Sequence, residues 1–150
     1  MIENITRDDI DVHVKAENWE DAIKKSSEYL LKTGKITEGY IDSMIEAVHR
    51  VGPYIVLGHS VALAHARPEC GVNELAVHFT TLDPPVPFGS EQFDPVSLLI
   101  TLAAIDADSH LELMSELAGI LMDTENVDRL SECDSKDEFL ENLQRMAMEA

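Results

Sequence analysis

Gly52-Pro53-Tyr54-Ile55-Val56-Leu57-Gly58-His59-Ser60-Val61-Ala62-Leu63-Ala64-His65-Ala66-Arg67-Pro68-Glu69-Cys70-Gly71-Val72 runs through the middle of this 150-residue chain. Its two apolar pieces, Tyr54–Leu57 and Val61–Ala64, are too short for helices and are bounded by Gly and Pro. They read as strands joined by a tight turn at Gly58-His59-Ser60. His65 falls where the second strand runs out, and Pro68 stops further ladder pairing. A titratable group at the end of a rigid strand is well placed for display at a surface. The same position also suits a half-buried histidine satisfied by a backbone carbonyl, and the local pattern accommodates both readings.

Outward from this run, the chain alternates helical and extended patterns. Before it, Ile10, Val12 and Val14 alternate with Asp11 and a solvent-facing His13, the period of a half-buried strand. Asn18 is placed to cap a helix carrying Trp19, Ala22, Ile23, Ser26 and Leu30 on one side, with Trp19 read as core and Gly34 just past the end. Thr37 caps a second helix with Tyr40, Ile41, Met44, Ile45 and Val48 on its apolar face, stopped by Gly52-Pro53. His49 and Arg50 fall in its last turn, where the helix dipole favours cations.

After the run, Leu75, Val77, Phe79 and Leu82 suggest a strand with His78 on the opposite face in a structural role. The three prolines of Asp83–Gly89 read as a loop. Val96–Ile105 is continuously apolar, fit for a central strand buried on both faces, which requires helices on both sides of the sheet. Ser109 and Glu112 have capping-box spacing and open a helix with Leu111, Met114, Leu117, Ala118 and Leu121, fixing His110 in its first turn. Val127–Leu130 reads as a short helical turn. Ser135 and Glu138 repeat the box before a last helix with Phe139, Leu143 and Met146 inward. The fold class expected is a three-layer α/β/α sandwich with a mixed central sheet, formed by residues 1–150 as a single domain.

Composition narrows the function. The net charge of −18 opposes nucleic acid and anionic membrane, both of which are bound chiefly by neutralising phosphates with Lys and Arg. Such a surface suits a basic protein partner, although solubility alone accounts for most of these charges. Between Gly52 and Phe88 the only charged residues are Arg67, Glu69, Glu74 and Asp83, so this region is expected at the middle of the fold. Cys70 and Cys133 form no C-x-x-C pair, which points to a reducing compartment; no stretch is long and apolar enough to span a bilayer, and the expected location is cytoplasmic. A zinc site from His59, His65, Glu69 and Cys70 lacks any recognised ligand spacing, and neither metal nor cofactor is expected.

Gly-Pro-Tyr-Ile-Val at 52–56, the apolar strand ending in His65-Ala66-Arg67-Pro68-Glu69, and Gly71-Val72 together resemble the IIA components of the bacterial phosphotransferase system. The resemblance lies within the mannitol/fructose superfamily, to the ascorbate type, and extends from the Tyr40 helix through the Leu111–Met122 helix. Two departures bear on the sugar: Ala64 stands where the family usually has Pro, and Gly58-His59-Ser60 replaces an Ala-Pro-Gly-like turn.

The resemblance implies that His65 is the phosphorylated residue. It also implies that His110, 45 residues later at the head of a Ser-His-Leu helix, lies beside it, and that a basic residue near His49 or Arg50 approaches the site. A phosphoryl-accepting histidine must be neutral at the attacking nitrogen and held in one tautomer, and the rest is positioning and donors for phosphoryl oxygens. Arg67, the only Lys or Arg between Val51 and Ile105, either pairs with Glu69 on the surface or supplies a fork of donors to the phosphoryl group or a partner. The implied partners are the phosphocarrier protein HPr as donor and a cysteine of a sugar-specific IIB component as acceptor. Two rivals stand beside this reading: a regulatory module of the same fold acting by phosphorylation-dependent docking, and a metal-dependent hydrolase built on the histidines.

Overall fold

In a computed structural model of the chain, residues 2–150 are described. Two short 3-10 turns, Ile2–Asn4 and Arg7–Asp9, lead into strand β1 (Ile10–Val14), followed by helices α1 (Trp19–Lys32) and α2 (Glu38–Val51). A hairpin of β2 (Val56–Gly58) and β3 (Val61–Ala64) comes next, then a 3-10 turn at Pro68–Cys70. Long strands β4 (Ala76–Val86) and β5 (Val96–Ala103) complete the sheet, and α3 (Ala107–Leu121), α4 (Thr124–Ser131) and α5 (Lys136–Glu149) end the chain.

The strands form one mixed sheet in the order β1-β4-β5-β3-β2. β1 runs parallel to β4 and β3 parallel to β5, while β4–β5 and β2–β3 are antiparallel. β5 therefore occupies the centre, and its side chains divide between two cores. Leu98, Ile100 and Leu102 pack with Leu113, Leu117, Val127, Leu130, Phe139 and Leu143 of α3, α4 and α5. Val96, Leu99 and Ala103 pack with Ile23, Leu30, Tyr40 and Met44 of α1 and α2. Apolar residues on both faces of one strand oblige helices to cover both faces, which gives the expected three-layer sandwich.

The caps at Asn18 and Thr37 are where the sequence puts them: each side chain accepts the amide of the third residue on, Asp21 at 2.8 Å and Tyr40 at 3.3 Å. Several other boundaries are corrected. Tyr54 and Ile55 belong to a turn rather than a strand, because Tyr54 and Val56 donate back to the carbonyls of Gly52 and Pro53. β4 runs on through Asp83-Pro84-Pro85 to Val86, which pairs with Val96. The prolines are tolerated because they fall in the register break after Thr81, beyond the last β1 partner at Leu82, where no ladder needs their missing donors.

α3 starts three residues earlier than Ser109 and Glu112 suggested. Asp106 is its N-cap and forms a reciprocal box with Ser109, whose amide donates to Asp106 Oδ1 at 2.7 Å. Either residue type can cap, and Asp106 already sits at the required spacing. At α5 only half of the predicted box forms: Ser135 accepts the Glu138 amide, while the Glu138 carboxylate takes the amide of Asp134. The Val127–Leu130 turn is a full helix, α4. Trp19 is only partly buried, packed between His49 and Phe88 with ring centroids 4.9 and 6.3 Å away.

Candidate active site

His65 is the first residue beyond β3. Leu63 donates to Ile55 in the turn before β2, so the alternate residues 62, 64 and 66 direct their backbone groups toward β5. The imidazole folds back on its own strand, with Nδ1 2.8 Å from the Leu63 carbonyl oxygen. A carbonyl can only accept, so Nδ1 carries the proton and Nε2 presents its lone pair. Burial lowers the imidazole's proton affinity below the ordinary value; the Leu63 bond opposes this in part and the neighbouring His110 adds to it. His65 is thus biased toward the neutral form and toward one tautomer, with the Nε2 lone pair free.

Two rings flank it. Tyr54 meets His65 edge-on, with centroids 5.7 Å apart and planes at 84°. His110 lies beside it too, with its ring centroid at 5.4 Å and the planes at 43°. His110 is the fourth residue of α3, and its amide makes the first intrahelical bond, to the Asp106 carbonyl at 3.1 Å. The sequence expectation that His65 and His110 meet is correct in space, but the agent that sets His110 is Asp106. That capping carboxylate is held below the usual carboxylate range by the Ser109 amide and hydroxyl, so the helix end facing His65 carries a negative charge as well as the positive dipole end.

The three rings border an open recess of about 720 Å³ lined also by Arg67, Pro68, Glu69, Ile105, Asp106 and Ala107. Arg67 is exposed and makes no salt bridge among the described residues, so the alternative pairing with Glu69 does not form. It also lines a second recess with Ser43, Glu46, Arg50, Tyr54 and Cys70 on the α2 side. Of the two basic residues ending α2, His49 turns to Glu20 on α1 at 3.0 Å, and Arg50 is the one that reaches the Tyr54–Arg67 neighbourhood.

The loop after His65 is moored to α2. Gly71 has φ +139°, and a Cβ there would stand 2.1 Å from Thr37 Oγ1, so the close approach requires glycine. Its carbonyl accepts the Thr37 amide at 3.0 Å. Three residues of the site are not singled out by the sequence: Tyr54, Asp106 and Arg50 as distinct from His49. Asp106 had a readable signal, since it precedes Ser109 by three; the others needed the register of the sheet.

His59 is not brought to His65. It lies at the β2–β3 turn, 3.8 Å from Asp128 on α4. Among the described residues no group of three or more His, Cys, Asp or Glu is arranged to hold a metal ion. Cys70 packs partly buried against the α1–α2 core. No helix among the described residues is long and apolar enough to cross a membrane.

With this geometry in hand, the likeness to known proteins is informative. Residues 3–146 match the family model for the phosphoenolpyruvate-dependent sugar phosphotransferase system, EIIA 2. The ascorbate-specific phosphotransferase EIIA component of Shigella boydii is 36% identical over 137 residues, covering 91% of this chain and 89% of that protein. Among solved structures, the mannitol-specific cryptic enzyme IIA of Escherichia coli superposes with a TM-score of 0.85 at 33% identity, covering 95% of this chain and 97% of that one. The mannitol enzyme IIA of Escherichia coli, solved in complex with phosphorylated enzyme IIB, gives 0.83 at 29% identity, with 95% and 98% covered. The match spans nearly the whole chain, and the chain belongs to the type-2 EIIA family of the sugar phosphotransferase system.

Proposed function

We propose that this protein is a phosphocarrier that takes a phosphoryl group on His65 Nε2 from HPr and passes it to a cysteine of an ascorbate-type IIB component. The observation that carries the reading is the bond from Nδ1 to the Leu63 carbonyl, which leaves Nε2 unprotonated toward a recess beside His110. In the first step the Nε2 lone pair attacks phosphorus. An N–P bond forms as the donor's P–N bond breaks, and the donor imidazole recovers a proton from solvent. In the second, a thiolate attacks the same phosphorus, an S–P bond forms, and the electron pair returns to Nε2. No net oxidation occurs, and the chemistry asks chiefly for positioning and charge stabilisation.

His110 donates to a phosphoryl oxygen across the recess, and Arg67 supplies a mobile fork of donors for the same oxygens or for a partner's acidic group. Exposed Tyr54 and Ile105 give the rim an apolar character that suits protein docking rather than capture of a small sugar. The solved complex of the mannitol relative with phosphorylated IIB supports the choice of acceptor, and the curated relatives support the ascorbate type.

The test is to incubate the protein with phosphoenolpyruvate, enzyme I and HPr and weigh the intact product. An acid-labile gain of one phosphoryl group that disappears in His65→Ala is expected. Equal labelling of His65→Ala would remove the assignment.

A further inference from the structure

Tyr40 lies on α2, fully buried, and its hydroxyl stands between the ends of β3 and β5. The last paired residues of these parallel strands are Ala64 and Thr101. Continued by two residues, the ladder would bond the Ala66 amide to the Leu102 carbonyl. That rung is replaced by the phenol: the Ala66 amide donates to Tyr40 Oη at 3.0 Å, and Oη donates to the Leu102 carbonyl at 2.6 Å. The Ala66 carbonyl lies farther off, at 3.3 Å, so the single hydroxyl proton belongs to Leu102. Burial pushes the phenol up to about 12, which keeps that proton in place at working pH.

The inserted hydroxyl holds the two strand ends apart by one oxygen atom while tying both. One end carries His65, the residue before Ala66. The other leads within four residues to Asp106, the cap that sets His110. We propose that Tyr40 is the positioning residue of the site, an inserted rung that fixes the separation of the His65 and His110 segments without touching the transferred group. This rests on the phosphocarrier reading given above.

Tyr40→Phe keeps the ring and removes the rung. A second variant replaces Ala66 by its hydroxy-acid analogue, lactate, which deletes only the amide donor and leaves Tyr40 bonded to Leu102. Single-turnover transfer from phosphorylated HPr should slow about 10- to 100-fold in each. The concentration of HPr giving half-maximal rate should stay unchanged, since Tyr40 is out of reach of a partner. The two changes combined should cost no more than either alone, because both break one relay. In the unphosphorylated Tyr40→Phe protein, the Ala66 amide should exchange faster and the His65 and His110 ring resonances should shift.

Parental rates in both variants, with only a lowered melting temperature, would make Tyr40 a core residue and overturn the proposal. If Tyr40→Phe does not fold, the lactate variant decides alone. Failure of the parent protein to label at His65 would instead strike the phosphocarrier reading, and the exchange and resonance measurements distinguish the two failures because they need no phosphoryl donor.

Discussion

His65 and His78 stand two strands apart in one sheet and have opposite lives. His78 and Ala64 flank Thr101 of β5 on the same row, so His65, one residue further along, falls on the other side. His78 turns toward α1, 1% exposed and stacked on Tyr29 at 5.6 Å, while His65 turns toward α3 and meets His110. Their partners differ in kind. His78 Nε2 donates to the Asp11 carboxylate at 2.9 Å, and its Nδ1 is sealed in the interior with no hydrogen-bond partner among the described residues. His65 donates to a neutral carbonyl and its second nitrogen opens on a recess. A carboxylate partner makes a structural pair; a carbonyl partner fixes the tautomer and leaves a nucleophile.

Substitution should separate the two most sharply. His65→Ala is expected to lose phosphoryl acceptance altogether and to keep its stability within about 1 kcal/mol, because the ring lines an open recess rather than filling the core. His78→Ala should do the reverse: label normally at 25 °C while losing about 2–4 kcal/mol in urea unfolding, chiefly from the cavity, since Asp11 keeps Lys136 at 3.3 Å as a partner. An unlabelled but fully stable His78→Ala would break the comparison.

His110→Ala comes next in size. Loss of one preorganised donor typically costs about 10²–10³ in rate, so transfer to His65 should persist but slow by that order. The melting temperature should hold, because the cap belongs to Asp106 and Ser109. A rate equal to the parent's would reduce His110 to a neighbour. Asp106→Ala should lower the melting temperature as an N-cap loss, and should also slow transfer by loosening His110. If only the stability falls, the cap and the site are uncoupled.

The pH dependence is a finer test. Burial lowers the His65 value, so its titration by NMR should have a midpoint below the ordinary 6.5. The sign for stability follows: the folded protein binds this proton less readily than the unfolded chain, so His65 contributes nothing above about pH 7 and destabilises as pH falls through 6.5. A midpoint above 6.5 would mean that the Leu63 bond outweighs burial.

Much of this molecule can be read from its residues, and what cannot has a physical reason. The continuous apolar run Val96–Ile105 announces a strand covered on both faces, although the strand itself ends at Ala103, and the caps at Asn18, Thr37 and Ser135 announce their helices, because each signal is local. The placement of His65 at a strand end is equally local. The α3 start is not legible because two overlapping boxes, at Asp106 and at Ser109, compete and the sequence does not say which wins. The reach of β4 through its prolines is not legible either, since a missing donor matters only where a neighbouring strand asks for it, and that depends on register. Tyr40 looked like one more core residue on α2; that its hydroxyl spans two strand ends is a fact of tertiary geometry.

In the proposed phosphocarrier the Leu63 carbonyl selects the reactive nitrogen of His65. Labelling the histidines with 15N, phosphorylating through HPr and recording long-range nitrogen–proton spectra locates the N–P bond. Attachment at His65 Nε2, with Nδ1 still protonated, is the result the geometry predicts; phosphoryl on Nδ1, or on any of the other five histidines, would contradict it.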